Sequence, residues 1–535
     1  MAIGTVVCRC LAGALLFGVC AWCHAQAPAA PDPAANEVPL RQTAYVKASG
    51  TGAGDQFGTG GTLLGDAVAL SADGNTLAVG APFESSAATG IDGREDDDSM
   101  FGAGAVYVFT RDAGRWTQQA YVKASNPGLT DYFGFAVALS ADGDTMAVSA
   151  YFEASGDSGV HGDQSDDTLP QAGAVYLFAR DSGRWSQQAY LKASNTQAGG
   201  FENELSGGDQ FGFALALAAD GNTLAVSAID EDSGSAGIDG DGADNSQRSA
   251  GAVYVFGRSG NTWTQQTYVK PTNPSVGDYF GYAVSLTADG NTLAVGAYDE
   301  DGSLTGTNEQ QNDDVFGTGA VYIFDRTDGQ WRQTAYVKAS NAEAGDSLGV
   351  AVALSDDGDT LAATALDEDG ATTGINSTAA PDREADSSTG AVYVFVKDRD
   401  AWSQQAYLKA SNTGAHDQFG ARLSLSGDGN ALAVGAQLED SSARGINGLQ
   451  NDDTAQEAGA VYLFSRAGDV WAQDAYIKAS NSEAYDEFGS TVSLNRGGSL
   501  LAVGARGEDS GATGLDGDQG DNTLFEAGAV YVFTR

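Results

Sequence analysis

Residues Asp131–Ala150 read DYFGFAVALSADGDTMAVSA. Two apolar runs, FGFAVALS and TMAVSA, flank an Asp-Gly step at Asp142-Gly143. Such runs joined by Asp-Gly predict a β-hairpin, because a tight turn needs residues that tolerate positive φ. Downstream come GAVYLFAR (Gly173–Arg180) and WSQQAYLKAS (Trp185–Ser194). The first is nearly all apolar, as expected of a strand covered on both faces. The second is more polar, as suits an outer strand. One unit therefore carries four strand-like runs.

The unit recurs. GAVY begins at Gly104, Gly173, Gly251, Gly319, Gly390, Gly459 and Gly528, seven copies in all. The hairpin step is Asp-Gly in six units and Gly497-Gly498 in the last. Tryptophan opens the outer strand at Trp116, Trp185, Trp263, Trp331, Trp402 and Trp471. Seven four-stranded units in one chain predict an all-β fold, a seven-bladed β-propeller of antiparallel blades. The repeat starts on an outer-strand run, RQTAYVKAS (Arg41–Ser49), and stops on a third-strand run, GAVYVFTR (Gly528–Arg535). The N-terminal strand is thus expected to pair into the last blade, closing the ring and removing an exposed sheet edge.

The pair opening each unit is Phe57-Gly58, Phe133-Gly134, Phe211-Gly212, Phe280-Gly281, Phe419-Gly420 and Phe488-Gly489, with Leu348-Gly349 the departure. With VGA or a close variant ending the second strand, the chain resembles the FG-GAP repeat family, which includes the integrin α-chain propeller and integrin-like bacterial proteins. The resemblance covers residues 41–535. It implies adhesion or ligand binding, commonly with calcium. Integrin-type calcium loops of the form D-x-D-x-D-G sit between the first and second strands. Here that hairpin is the short SADGNT, so the family's calcium ligands do not transfer.

The formal net charge of −45 over 535 residues excludes nucleic acid, whose phosphates require clustered Lys and Arg. Anionic membrane surfaces are disfavoured for the same reason. Arg9, the apolar run LAGALLFGVCAW and small residues at Ala25 and Ala27 read as an export signal over residues 1–27. A Pro/Ala-rich linker over 28–40 and the propeller at 41–535 follow. The apolar run is too short for a membrane-spanning helix. All four cysteines (Cys8, Cys10, Cys20 and Cys23) precede the cleavage point, leaving no thiol chemistry in the mature chain. Val19 and Trp22 stand where lipoprotein processing wants a small residue. The expected location is periplasm, cell surface or medium, and the expected state a monomer.

The connections between second and third strands are acidic in register. A glutamate falls at one offset in every unit: Glu84, Glu153, Glu231, Glu300, Glu368, Glu439 and Glu508. An Asp-Asp or Asp-Asn pair follows in six: Asp97-Asp98, Asp166-Asp167, Asp244-Asn245, Asp313-Asp314, Asp452-Asp453 and Asp521-Asn522. Blade five has PDREADSS instead. Two readings stand. The loops each hold one calcium ion, since Ca²⁺ takes six to eight oxygens and clustered carboxylates would otherwise repel. Alternatively they are solvated Asx-turns whose charge keeps the protein soluble. The stretch from Asp239 does not fit the EF-hand template, because Ala243 and Asp244 fall at its fifth and sixth positions.

Columns of lysine (Lys47, Lys123, Lys192, Lys270, Lys338, Lys409, Lys478) and of arginine or lysine ending the third strand are expected to pair with acidic neighbours or to line the rim. No nucleophile elbow, zincin motif or Cys/His pairing occurs, and His161 and His416 occupy unrelated positions. The chain reads as a non-enzymatic binding propeller for an extracellular protein or glycan. Its alternative is a scaffold of an envelope or surface assembly; a propeller hydrolase or lyase stands behind both. A single site is sought where the repeat is broken: at the insertion Thr59–Gly65, and at the long connection from Asn195, which carries Phe201, Glu202 and Glu204.

Overall fold

The structure is a computed structural model that describes residues 39–60, 65–197, 208–302, 305–307, 314–377 and 387–535. The expected export signal and most of the linker lie outside the described residues, as do Phe201, Glu202, Glu204 and Asp313. The chain divides into two units, Met1–Pro39 and Leu40–Arg535. The second is the propeller.

Seven four-stranded antiparallel sheets follow one another along the chain. In the second blade the strands are Val137–Leu139, Thr145–Ala150, Ala174–Asp181 and Arg184–Leu191, in that order across the sheet. The hairpin glycine alone takes the positive φ that the turn needs, 70° at Gly143. Its aspartate serves differently: Asp142 accepts hydrogen bonds from the Ser140 hydroxyl and the Asp144 amide, at 2.6 and 2.9 Å. The glycine of GAVY is equally constrained. Gly104 has φ of 79°, and a Cβ there would lie 2.1 Å from the Phe133 carbonyl oxygen of the next blade.

The third strands are buried along AVYVF, as their composition requires. Apolar side chains interleave between adjacent blades, for example Val106 and Val108 of the first with Met146 and Val148 of the second. The outer strands are exposed at their first residue and fully buried at their last three. Five of their tryptophans lie under third-strand arginines, with guanidinium carbons 5.2–6.0 Å from the ring centroid, and Trp402 lies under Lys397. Arg180, Arg258, Arg326 and Arg466 reach backwards to the preceding blade, as when Arg180 donates to Gln119 and Thr76 at 3.0 Å. The arginine column is therefore an inter-blade brace.

The ring is closed as the sequence predicts. Strand Arg41–Val46 pairs antiparallel with Ala529–Thr534, with Tyr45 opposite Tyr531. A second device runs round the channel on the hairpin side. Backbone amides pass from Ala72 to Ala141, Ala219, Ala288, Asp356, Gly427 and Arg496, each donating to the next carbonyl at 2.8–3.3 Å. Asn495 completes the circle through its side-chain amide to the Ala72 carbonyl at 3.4 Å. Among the described residues, no helix is long and apolar enough to cross a membrane.

Deleting Arg41–Ser49 strips the last blade of its outer strand and leaves Glu508 buried without its lysine. Loss of the lysine alone should cost about 3–5 kcal/mol. The expected outcome is a lower melting temperature with self-association on gel filtration; unchanged melting and monomeric elution would contradict this closure.

Candidate functional site

The face bearing the acidic connections is built on a buried ion pair in every blade. Each glutamate of the column receives the Nζ of a lysine at 2.6–3.0 Å: Glu84 from Lys123, Glu153 from Lys192, Glu231 from Lys270, Glu300 from Lys338, Glu368 from Lys409, Glu439 from Lys478 and Glu508 from Lys47. Both partners are buried. The lysine lies near the inner end of the outer strand, and the glutamate just past the second strand, so the pair spans the third. Five of the glutamates also accept a tyrosine hydroxyl at 2.7–2.9 Å, as from Tyr268 to Glu231. Six accept the amide two residues on, at 3.0–3.2 Å. Asn126, Asn195, Asn412 and Asn481 add a donor in four blades.

Burial lowers the pKa of Lys47, Lys123, Lys192, Lys270, Lys338 and Lys478, and the paired glutamate opposes that fall. These glutamate oxygens are thus committed inside the protein, to the lysine in every blade and to a tyrosine, a backbone amide or both as well. Blade five lacks the Asp pair yet keeps the pair of Glu368 and Lys409 at 2.6 Å. The ion pair is independent of the acidic loop tip.

The two members of the Asp pair do different things. The first makes the turn: Asp97 accepts the Ser99 amide at 3.2 Å, Asp166 the Thr168 amide at 3.1 Å, and Asp452 the Ser442 and Thr454 hydroxyls at 2.6 and 2.7 Å. These are the Asx-turns of the solvated-loop reading. The second member is exposed at Asp98, Asp167 and Asp453. Asn245 is bonded to Gln197, and Asn522 donates to Glu483. Among the described residues, no three acidic, imidazole or thiol side chains form a group that could hold a metal ion.

A further column went unread in the sequence. Asp55, Asp131, Asp209, Asp278, Asp346, Asp417 and Asp486 stand two residues before each FG or LG, and all are buried. The signal was present, since D-x-F-G or D-x-L-G occurs in every unit. Each of six accepts a backbone amide from three residues upstream, at 2.7–3.0 Å. Burial pushes Asp55, Asp131, Asp417 and Asp486 up to about 7, and the nearby glutamate adds to the rise. The exposed member of the Asp pair contributes at Asp55 (Asp98), Asp131 (Asp167) and Asp417 (Asp453). In blade six Asp417, Asp440 and Asp453 line an open recess of about 350 Å³ with Thr413, Gln450 and Asn451.

A carboxyl that titrates near 4 when unfolded and about 7 when folded binds more protons in the folded state between those values. Its contribution is complete below pH 4 and is lost as pH rises through 7. Without divalent cations the protein should therefore melt at a higher temperature at pH 5 than at pH 8. Asp417→Asn should raise the pH 8 value and narrow the gap; an unaltered gap would contradict the assignment.

A model of the FG-GAP repeat matches residues 116–178, 263–324, 402–464 and 471–533, each window running from an outer-strand tryptophan into the next third strand. No curated protein sequence matches the chain. Among solved structures, the β-propeller domain of Cps50 (Swd1) from Myceliophteria thermophila is 10% identical, with a TM-score of 0.45 over 93% of this chain and 100% of that one. The periplasmic gluconolactonase PpgL of Pseudomonas aeruginosa is 15% identical, with a TM-score of 0.43 over 78% and 86%. Hydrazine synthase of Kuenenia stuttgartiensis is 13% identical, with a TM-score of 0.42 over 83% and 93%. Similarities of this size carry nothing about activity.

Proposed function

The chain is an FG-GAP repeat protein folded as a seven-bladed β-propeller, and from that premise we propose that it is an exported, non-enzymatic binding module. Its ligand is an extracellular protein or glycan, met on the face that carries the acidic second-to-third-strand loops and the blade-to-blade connections. The observation carrying this reading is the buried aspartate column. Seven carboxylates are buried in equivalent positions, with a glutamate and a loop aspartate acting on those of blades one, two and six. A surface of that kind favours hard cations and basic partners.

Calcium is the cation we propose, bound by part of the set the loop spacing suggests. The glutamate column does not fit, because its oxygens are held by lysine, tyrosine and amide donors. The residues that fit are the buried aspartate and the exposed member of the Asp pair, Asp417 with Asp453 in blade six, and Asp55 with Asp98 and Asp131 with Asp167 elsewhere. Calcium would supply further positive charge where the carboxylates crowd. Binding rather than catalysis is supported by repetition, since the acidic groups come in near-equivalent copies with equivalent partners. Both histidines are exposed on loops with left-handed backbone, at φ of 61° and 68°.

Calcium at millimolar concentration should raise the melting temperature at pH 8 relative to chelator, since a ligand held by the native state alone shifts unfolding by RT ln(1 + [L]/Kd). At a hundredfold excess over Kd that is about 2.7 kcal/mol. The double variant Asp417→Asn, Asp453→Asn should lose part of the shift. No shift in the wild-type chain would overturn calcium binding. Capture from envelope extract, with and without calcium, tests the partner; nothing captured in either condition would favour the scaffold role.

A further inference from the structure

The propeller's sevenfold regularity fails at two adjacent repeat positions, and both failures meet in the central channel. The residue two places after FG is Ala136, Ala214, Ala283 and Ala351 in blades two to five, with Ala67 in the same sheet register of blade one and Thr491 in blade seven. In blade six it is Arg422, opposite Gly435. The preceding position is Phe135, Phe213, Tyr282, Val350, Ala421 and Ser490; in blade one, after the insertion, it is Asp66. Arg422 Nε lies 3.3 Å from Asp66 Oδ1 across the channel.

This pair differs from the other buried ion pairs of the ring. Arg422 is 5% exposed, whereas the Asp66 side chain is 62% exposed. Arg422 Nη1 donates to the Ala421 carbonyl at 3.4 Å. Nε and Nη2 are buried and make no hydrogen bond, the Asp66 contact at Nε lacking the geometry of one. Those two nitrogens form the edge of a guanidinium that receives a carboxylate bidentately. The edge faces a cavity of about 30 Å³ lined by Asp66, Phe213, Tyr282, Ala351 and Val352. That space admits a water or two, or a single carboxylate head group. Phe213 and Tyr282 are themselves packed at 5.0 Å between ring centroids, giving the cavity an aromatic wall.

We propose that the Nε–Nη2 edge of Arg422 is a carboxylate-binding site in the central channel. Its ligand is a two-carbon monocarboxylate whose head group takes that edge and whose methyl group meets the Phe213 and Tyr282 wall. Asp66, exposed and singly engaged, holds the edge when no ligand is present and gives way to it. The site lies apart from the acidic loops and takes the opposite charge, so it stands or falls independently of calcium.

Sodium acetate, titrated by calorimetry and by saturation-transfer NMR, is the probe, with benzoate and inorganic phosphate as comparators. Acetate should bind saturably and at least tenfold more tightly than benzoate, whose ring exceeds the cavity, with phosphate weaker still. Arg422→Ala installs the residue that blades one to five already carry, so it should fold, and it should weaken acetate at least tenfold. Arg422→Lys keeps the charge without the paired edge and should weaken it similarly. Asp66→Asn removes the competing carboxylate and should tighten acetate several-fold. Absence of saturable binding, or equal binding by wild type and both Arg422 variants, would overturn the site and leave hydrated Arg422 as a structural residue. Weaker binding by Asp66→Asn would overturn the displacement.

Discussion

Beneath every acidic loop of this ring lies a lysine ammonium with almost no access to water, held by a single glutamate. Removing two charges from water is costly, and the attraction offsets that cost only when the remaining donors and acceptors are also satisfied. In the third blade Glu231 is satisfied by Tyr268, Asn195 and the Ser233 amide, and Lys270 also donates to the Gly251 carbonyl. The pair thereby fixes where the second-to-third-strand connection leaves the sheet. The glutamate carbonyl, in turn, receives the amide of the GAVY glycine at 2.8–2.9 Å in all seven blades, starting the third strand. The long loop is thus anchored at its root, and its tip is free to be acidic.

Much of the architecture was legible because hairpin chemistry and burial leave a one-dimensional trace. Asp-Gly between apolar runs, the two-sided apolar AVYVF, and a chain that begins on a fourth strand and ends on a third were enough for seven blades and their closure. The site was less legible. Uniform spacing showed that Glu231 and its equivalents mattered, but not which way they face. A carboxylate at the root of an exposed loop reads as solvent-facing, yet Lys270, 39 residues on, turns it inward. The lysines were expected to pair with acidic neighbours or to line the rim, and the first holds, but an outer strand gives no sign that the pairing is buried. The aspartate before each FG was available to inspection and was hidden by the more obvious acidity of the loops. Arg422 shows the converse. A position becomes informative in a repeat when it departs from its six counterparts, and only the fold places that departure beside Asp66.

The ring therefore combines two kinds of surface. Repetition gives one face a circle of near-equivalent acidic sites, suited to cations and to basic or extended partners. The broken symmetry of blades one and six gives the channel a buried cation, Arg422. Hydrophobic layers between blades and the amide circle on the opposite face hold the frame, so the two chemistries can vary without disturbing the fold.

The dependence of the fold on the buried pairs is tested most directly by a double-mutant cycle on Glu231 and Lys270. Each single change, Glu231→Gln or Lys270→Met, should cost about 3–5 kcal/mol in denaturant unfolding, because its partner is left charged and buried. The double variant should cost less than the sum by at least about 1 kcal/mol, within the range found for residues in contact. Single variants costing under about 1 kcal/mol, with additive effects, would place the pair among ordinary surface ion pairs and contradict the account.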